Sequence, residues 1–181
     1  MGKSILVLTG SPRINGNSDL LADAFIKGAK QAGHDVINCA VGRKNIMGCR
    51  GCDTCYSKGK PCSFDDDFND IAFLFEKAEM IVLVTPLSWF TFSTQLKAAI
   101  DKIRSFYIGK KELKIKESML MVCGATKDQT HYEGIISSYK SIARYLHWTD
   151  RGHMIVPGVL NKGDILSTDC LALAEKMGLT I

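Results

Sequence analysis

Apolar positions fall into two alternating textures along this chain. Short, nearly continuous apolar runs recur at 4–9 (SILVLT), 35–41 (DVINCAV), 80–85 (MIVLVT), 118–123 (SMLMVC) and 153–156 (HMIV). Each has strand length, and several are apolar on both faces, as strands of a buried parallel sheet are. Between them the apolar spacing is helical. Leu20, Leu21, Ala24, Phe25, Gly28 and Ala29 form one stripe, and Phe68, Ile71, Ala72, Phe75 and Ala78 a second. Leu96, Ala99, Ile100 and Ile103 form a third, and Ile135, Ile136, Tyr139, Ile142, Ala143 and Leu146 a fourth. Leu171, Ala174, Glu175 and Met177 suggest a fifth. Each stripe would turn one helix face toward a sheet. Asn17 or Ser18 can cap the first helix, and the acids at 65–67 suit the positive N-terminal end of the second. Five βα repeats predict an α/β fold, a doubly wound five-stranded parallel sheet with helices on both faces. The whole span 1–181 reads as a single domain, with one long irregular stretch at about 42–64.

Composition narrows the function classes. The 181 residues are 46% hydrophobic and 23% charged, ordinary for a globular chain. No apolar run is long enough to span a bilayer. The apolar stretch before Thr9 is shorter than a secretory signal core, so a cytoplasmic protein is expected, with no membrane partner. A net charge of +4 makes no case for a nucleic-acid partner. The cysteines change the picture more. There are seven, and Cys49, Cys52, Cys55 and Cys62 crowd into the irregular stretch, while Cys39, Cys123 and Cys170 stand alone. An odd total without an export signal argues against a disulfide framework.

In an open parallel sheet, ligands sit beyond the carboxyl ends of the strands, where the strand order reverses. The loop after the first strand reads Gly10-Ser11-Pro12-Arg13-Ile14-Asn15-Gly16-Asn17-Ser18. It is neither a Walker A motif nor GxGxxG. Its hydroxyls, amides and arginine at a helix start suit a phosphate, with Ser11, Arg13, Asn17 and Ser18 as candidate contacts. The loop after the third strand, Thr85 to Ser93, is aromatic and begins with a proline. Pro86, Leu87, Ser88, Trp89 and Phe90 would hold a flat apolar ring. The loop after the fourth strand offers Gly124, Ala125 and Thr126, where small residues permit close backbone approach. A phosphate at one loop and a ring at the next two describe a mononucleotide with a large planar head. In a sheet of order 2-1-3-4-5 that description fits FMN.

LTGSPRINGNS, then IMGCRGCDTC…CSFDDDF, then TPLSWFTFSTQLKAAIDK resembles the NAD(P)H-dependent FMN reductase family, and most closely its iron–sulfur flavoprotein branch. The resemblance covers nearly the whole chain in the same order. It implies a flavodoxin-like fold, bound FMN and a homodimer or dimer of dimers. It also implies NADH or NADPH as co-substrate and a further electron acceptor that the sequence does not name. The phosphate contacts it implies are Ser11, Arg13, Asn17 and Ser18, with residues 86–90 and 124–126 on the isoalloxazine. Lys97 and Asp101 read as structural. No residue is expected to be catalytic in its own right, because the chemistry lies at flavin N5.

The cysteine spacing is C-x2-C-x2-C-x6-C. Three close thiolates and a fourth nearby are what a 4Fe–4S cluster needs, and the iron–sulfur flavoproteins look similar here. Thiols without metal, zinc and a redox disulfide pair stay open beside it. Three functions follow: an FMN-dependent NAD(P)H oxidoreductase, an electron carrier with FMN and a 4Fe–4S cluster on Cys49, Cys52, Cys55 and Cys62, or a non-catalytic flavin- or metal-binding module.

Overall fold

A computed structural model describes residues 2–181. Five parallel strands form one sheet of order β2-β1-β3-β4-β5: β1 (Ser4–Thr9), β2 (Asp35–Cys39), β3 (Met80–Pro86), β4 (Glu117–Cys123) and β5 (Thr149–Val156). The helices are α1 (Asn17–Gln31), α2 (Phe68–Lys77), α3 (Thr94–Asp101), α4 (Arg104–Ile108), α5 (Glu133–Tyr145) and α6 (Cys170–Leu179). This is the flavodoxin-like doubly wound arrangement expected from the sequence. No described helix is long and apolar enough to cross a membrane.

Strand alternation divides the core in two. Leu6, Leu8, Ile81, Leu83, Leu120 and Val122 face a layer that includes Phe68, Phe75, Phe106 and Tyr139. Ile5, Val7, Met80, Val82, Met119 and Met121 face the other layer, with Phe25 and Ala174. The central strands are therefore apolar on both faces, which is why they stand out in the sequence.

Where the structure departs from the apolar pattern, edge position explains it. β2 ends at Cys39, and Val41 begins a short 3-10 turn instead. β5 begins at Thr149, four residues before its apolar run. It pairs only with β4, so its polar start Thr149-Asp150-Arg151 can face solvent. The third apolar stripe runs along α3 and ends at Ile103, in a break at Lys102 and Ile103 before the short helix α4.

The helix carrying the first loop is held by close backbone approach. A Cβ on Gly28 of α1 would lie 1.9 Å from the Glu175 carbonyl oxygen of α6, and one on Gly178 2.2 Å from the Phe25 carbonyl oxygen. Only glycine permits that contact. At the other end of the sheet, Thr9 pairs with Val84, Pro86 with Cys123 and Cys123 with Val156. The carboxyl ends of four strands thus share one edge, and the order reverses beside β1.

Candidate functional site

A cleft of about 280 Å³ opens at that edge. Ser11, Arg13, Asn17 and Ser18 line it from the first loop, Pro86, Leu87 and Ser88 from the third-strand loop, and Gly124 and Ala125 from the fourth. Nine of the expected contacts therefore converge. Trp89, Phe90 and Thr126 lie outside its lining. The loop after β5 adds Val159, Leu160 and Lys162, which the sequence reading missed. The rule that ligands sit at the strands' carboxyl ends applies equally to the glycine-containing segment 157–163, and it was the available signal.

The first loop is built around the start of α1. Gly16 occupies the N-cap without a side-chain hydrogen bond, and Asn17 is the first helical residue. Neither Asn17 nor Ser18 is the cap expected above. The Asn17 amide instead donates to the Asn161 carbonyl at 2.9 Å and accepts from the Gly163 and Ile165 N–H groups at 3.1 and 3.3 Å. It ties the β5 loop to the cleft. Ser18 Oγ is buried and lies 3.1 Å from Cys123 Sγ. Among the described residues, the N–H groups of Asn17, Ser18 and Asp19 have no acceptor. They are the ready donors of a helix N-terminus. Asn15 holds a left-handed backbone (φ 54°) while its N–H donates to Asp19 Oδ2 at 2.8 Å.

Charge and shape suit a phosphorylated ligand. Arg13 and Lys162 bring two cations, and no carboxylate lines the cleft. Arg13 reaches across to donate to the Leu160 carbonyl at 3.0 Å. Gly124 is a cradle that a side chain would obstruct: a Cβ there would meet Tyr132 Oη at 2.7 Å and Leu87 Cβ at 3.0 Å. Burial pushes the Cys123 thiol up to about 11, so it stays protonated beside Ser18 near neutral pH. FMN passes this test: free N–H donors and cations at one end, and small or apolar residues at the other.

The rim beside the cleft is strained. Ser88 and Thr91 exchange both backbone hydrogen bonds, at 3.0 and 3.1 Å, around Trp89 and Phe90. Both central residues have positive φ, 45° and 66°. That is the requirement of a type I′ turn, for which asparagine and glycine are the preferred residues. Trp89 is 92% exposed, and Phe90 packs edge-on against His131 with ring centroids 5.2 Å apart. His131 Nδ1 in turn hydrogen-bonds Thr126 Oγ1 at 2.9 Å, linking the two ring loops. Left-handed aromatic residues cost about 1–3 kcal/mol each and persist where the strain serves a site. Replacing Trp89-Phe90 with Asn-Gly is expected to raise the unfolding midpoint in urea, corresponding to about 1–3 kcal/mol of added stability. An unchanged or lower midpoint would show that the aromatic contacts outweigh the strain.

Cys49, Cys52, Cys55 and Cys62 all line a second cavity, of about 20 Å³, with Lys102, Arg104 and Ser105 on its wall. The loop that carries them is fastened at several points. Arg104 grips Asp53 with two bonds of 2.8 Å. Thr54 Oγ1 lies 2.6 Å from Ser63 Oγ, and the Cys62 N–H donates to Asn69 Oδ1 at 2.7 Å. Asp66 accepts the Met47 N–H at 2.9 Å and pairs with the buried ammonium of Lys102. Burial pushes the Cys55 thiol up, and the neighbouring Cys62, Cys49 and Cys52 add to that. Hydrogen bonding from Thr54 lowers Cys52.

Among the described residues no three potential ligands stand close enough to hold a single metal ion. A cluster is larger than an ion, so its ligands stand farther apart. Four thiols around one cavity, with the exposed Cys49 and Cys52 on its open rim, match a cluster's donor set. The three consecutive acids serve different ends: Asp65 is exposed, Asp66 anchors the cysteine loop, and Asp67 accepts the Asn45 N–H at 2.8 Å. Lys97 and Asp101 form an exposed pair four residues apart on α3.

Residues 4–156 match the family described as NADPH-dependent FMN reductase. The chain belongs to that family. Its sequence is 32% identical over 96 residues to an iron-sulfur flavoprotein of Archaeoglobus fulgidus, an alignment covering 53% of this chain and 43% of that one. It is 29% identical over 124 residues to an iron-sulfur flavoprotein of Methanocaldococcus jannaschii, covering 68% and 63%. The matches thus span between about two fifths and two thirds of these relatives' length. The fold is similar to that of the NAD(P)H:quinone oxidoreductase from Methanothermobacter marburgensis, with a TM-score of 0.76 at 16% identity over 99% of this chain and 97% of the other.

Proposed function

We propose that this member of the FMN reductase family binds FMN in the cleft and acts as an NAD(P)H-dependent oxidoreductase. The observation that carries the reading is the convergence of four strand-end loops on one cavity lined by two cations and no carboxylate. Bound there, FMN supplies the redox chemistry, taking hydride from a nicotinamide and passing electrons to an acceptor. The protein's part is positioning. The N–H groups at the start of α1, with Arg13 and Lys162, would neutralise the phosphate. Pro86, Leu87 and Ser88 on one side and Gly124 and Ala125 on the other would hold the ring. Asn17 keeps the β5 loop against the phosphate end through its three hydrogen bonds.

The test uses anaerobically purified protein. Bound flavin makes it yellow, or lets a colourless preparation take up added FMN, and NADH or NADPH then bleaches the flavin band in a stopped-flow mix. A colourless protein that refuses FMN overturns the reading. A yellow protein bleached by neither nucleotide leaves a flavin-binding module.

A second reading is favoured by the four cysteines around one cavity and by relatives named iron-sulfur flavoproteins. In it Cys49, Cys52, Cys55 and Cys62 hold a 4Fe–4S cluster, and the protein carries electrons between a two-electron and a one-electron partner. Iron and sulfide analysis of protein reconstituted without oxygen decides between this reading and bare thiols.

A further inference from the structure

The cysteine loop supplies one side of its cavity. The other side comes from the junction between α3 and α4, and two groups there have no ordinary structural explanation. Lys102 sits at the break, its side chain 4% exposed against an Asp66 side chain at 0%. Its ammonium also lies over the Phe68 ring, 5.6 Å from the centroid. A buried ion pair is weak evidence for stability, because desolvation offsets most of the attraction. Yet Nζ makes one more contact, donating toward Cys62 Sγ at 3.5 Å. Three residues on, Ser105 is 3% exposed and lines the same cavity. Its hydroxyl has no hydrogen-bond partner among the described residues. An unsatisfied buried hydroxyl ordinarily costs about 1–3 kcal/mol, so it calls for a missing partner. Both are donors on the wall of the cavity that the four thiols line.

We propose that the 102–105 segment tunes the cluster held by the four cysteines: Lys102 donates to the Cys62 sulfur and Ser105, whose hydroxyl is without a partner among the described residues, to a sulfur of the cluster, and together they raise its reduction potential. This rests on the iron–sulfur reading above. In the reaction concerned, one electron leaves reduced FMN and enters the cluster, adding one negative charge that spreads over the sulfurs. Hydrogen bonds to those sulfurs stabilise the reduced form more than the oxidised form. Asp66 cancels the net charge of Lys102, so the effect works at short range through the N–H donor. Lys102 and Ser105 are therefore positioning residues, acting on the cluster through its sulfurs.

The test compares full-length wild type with Ser105→Ala, Lys102→Met and Lys102→Arg, each reconstituted anaerobically with ferrous iron and sulfide. Iron content is measured first, then the midpoint potential by EPR-monitored titration. Ser105→Ala and Lys102→Met, which each remove a donor, are expected to keep their iron and to shift the reduction equilibrium about tenfold toward the oxidised cluster, which is about 59 mV for one electron. Lys102→Arg, which keeps a donor, should stay near wild type. Potentials unchanged in both Ser105→Ala and Lys102→Met overturn the inference while leaving the cluster reading intact. Should Lys102→Met fail to fold, Ser105→Ala decides alone, since it removes only an unbonded hydroxyl. A wild type that takes up no iron overturns both, and the iron assay separates that failure from the other.

Discussion

Replacing Arg13 with alanine is expected to weaken FMN binding about 10- to 100-fold and riboflavin binding no more than about threefold, since a hydrogen bond to a charged group contributes about 1.5–3 kcal/mol. Arg13 is one of two cations on a cleft without carboxylates. Its bond to the Leu160 carbonyl is exposed and easily exchanged for a phosphate. The two ligands differ only at the phosphate, so their affinity ratio isolates this end of the cleft from the ring end. Ser18→Ala should lower FMN affinity in the same sense but less. Its hydroxyl is shared with Cys123, while the free N–H groups at the start of α1 remain. Parallel titrations followed by flavin fluorescence measure all six constants. Equal losses for FMN and riboflavin would mean that the first loop does not hold phosphate.

Asp66→Ala is expected to be the most destabilising single change in the cysteine loop, at about 3–5 kcal/mol, because it leaves the Lys102 ammonium buried and unpaired. The same carboxylate accepts the Met47 N–H at 2.9 Å and the Phe68 N–H at 3.1 Å, so the start of the loop and the first turn of α2 lose partners together. Urea unfolding should show a lower midpoint. Limited proteolysis should cut within the cysteine-rich segment well before the rest of the chain. Asp65→Ala, one residue away, should change neither readout much, because that side chain is 93% exposed. Comparable behaviour of the two variants would contradict the anchoring role of Asp66.

The neighbouring aspartates show where sequence reading stops. In a linear reading, Asp65, Asp66 and Asp67 are three equivalent acids before a helix, and helix polarity accounts for them all. In the fold, one is exposed and pairs with Lys60, one pairs with a lysine 36 residues away, and one accepts the backbone N–H of Asn45, 22 residues away. Asn17 is a parallel case. Its position before a helical stripe predicts a cap or a phosphate contact, whereas its amide is taken up by a loop 144 or more residues distant. Lys102 carried no signal at all. It follows the apolar stripe of α3 as a solvated lysine would, and only the break between α3 and α4 turns it inward.

By itself, the sequence determined the strands, the burial of the central ones on both faces, most of the helices that cover them and the edge at which a ligand is expected. These depend on local periodicity and on topological rules that hold whatever the side chains touch. It also named nine of the cleft's lining residues, because loops after parallel strands share one edge by construction. Tertiary structure alone decided which polar side chains are free to meet a ligand and which are already bonded to distant backbone. It added the β5 loop to the cleft and set a buried lysine and an unpaired serine behind the four cysteines. Such roles depend on burial and on partners far apart in the chain, and both quantities exist only once the chain has closed on itself.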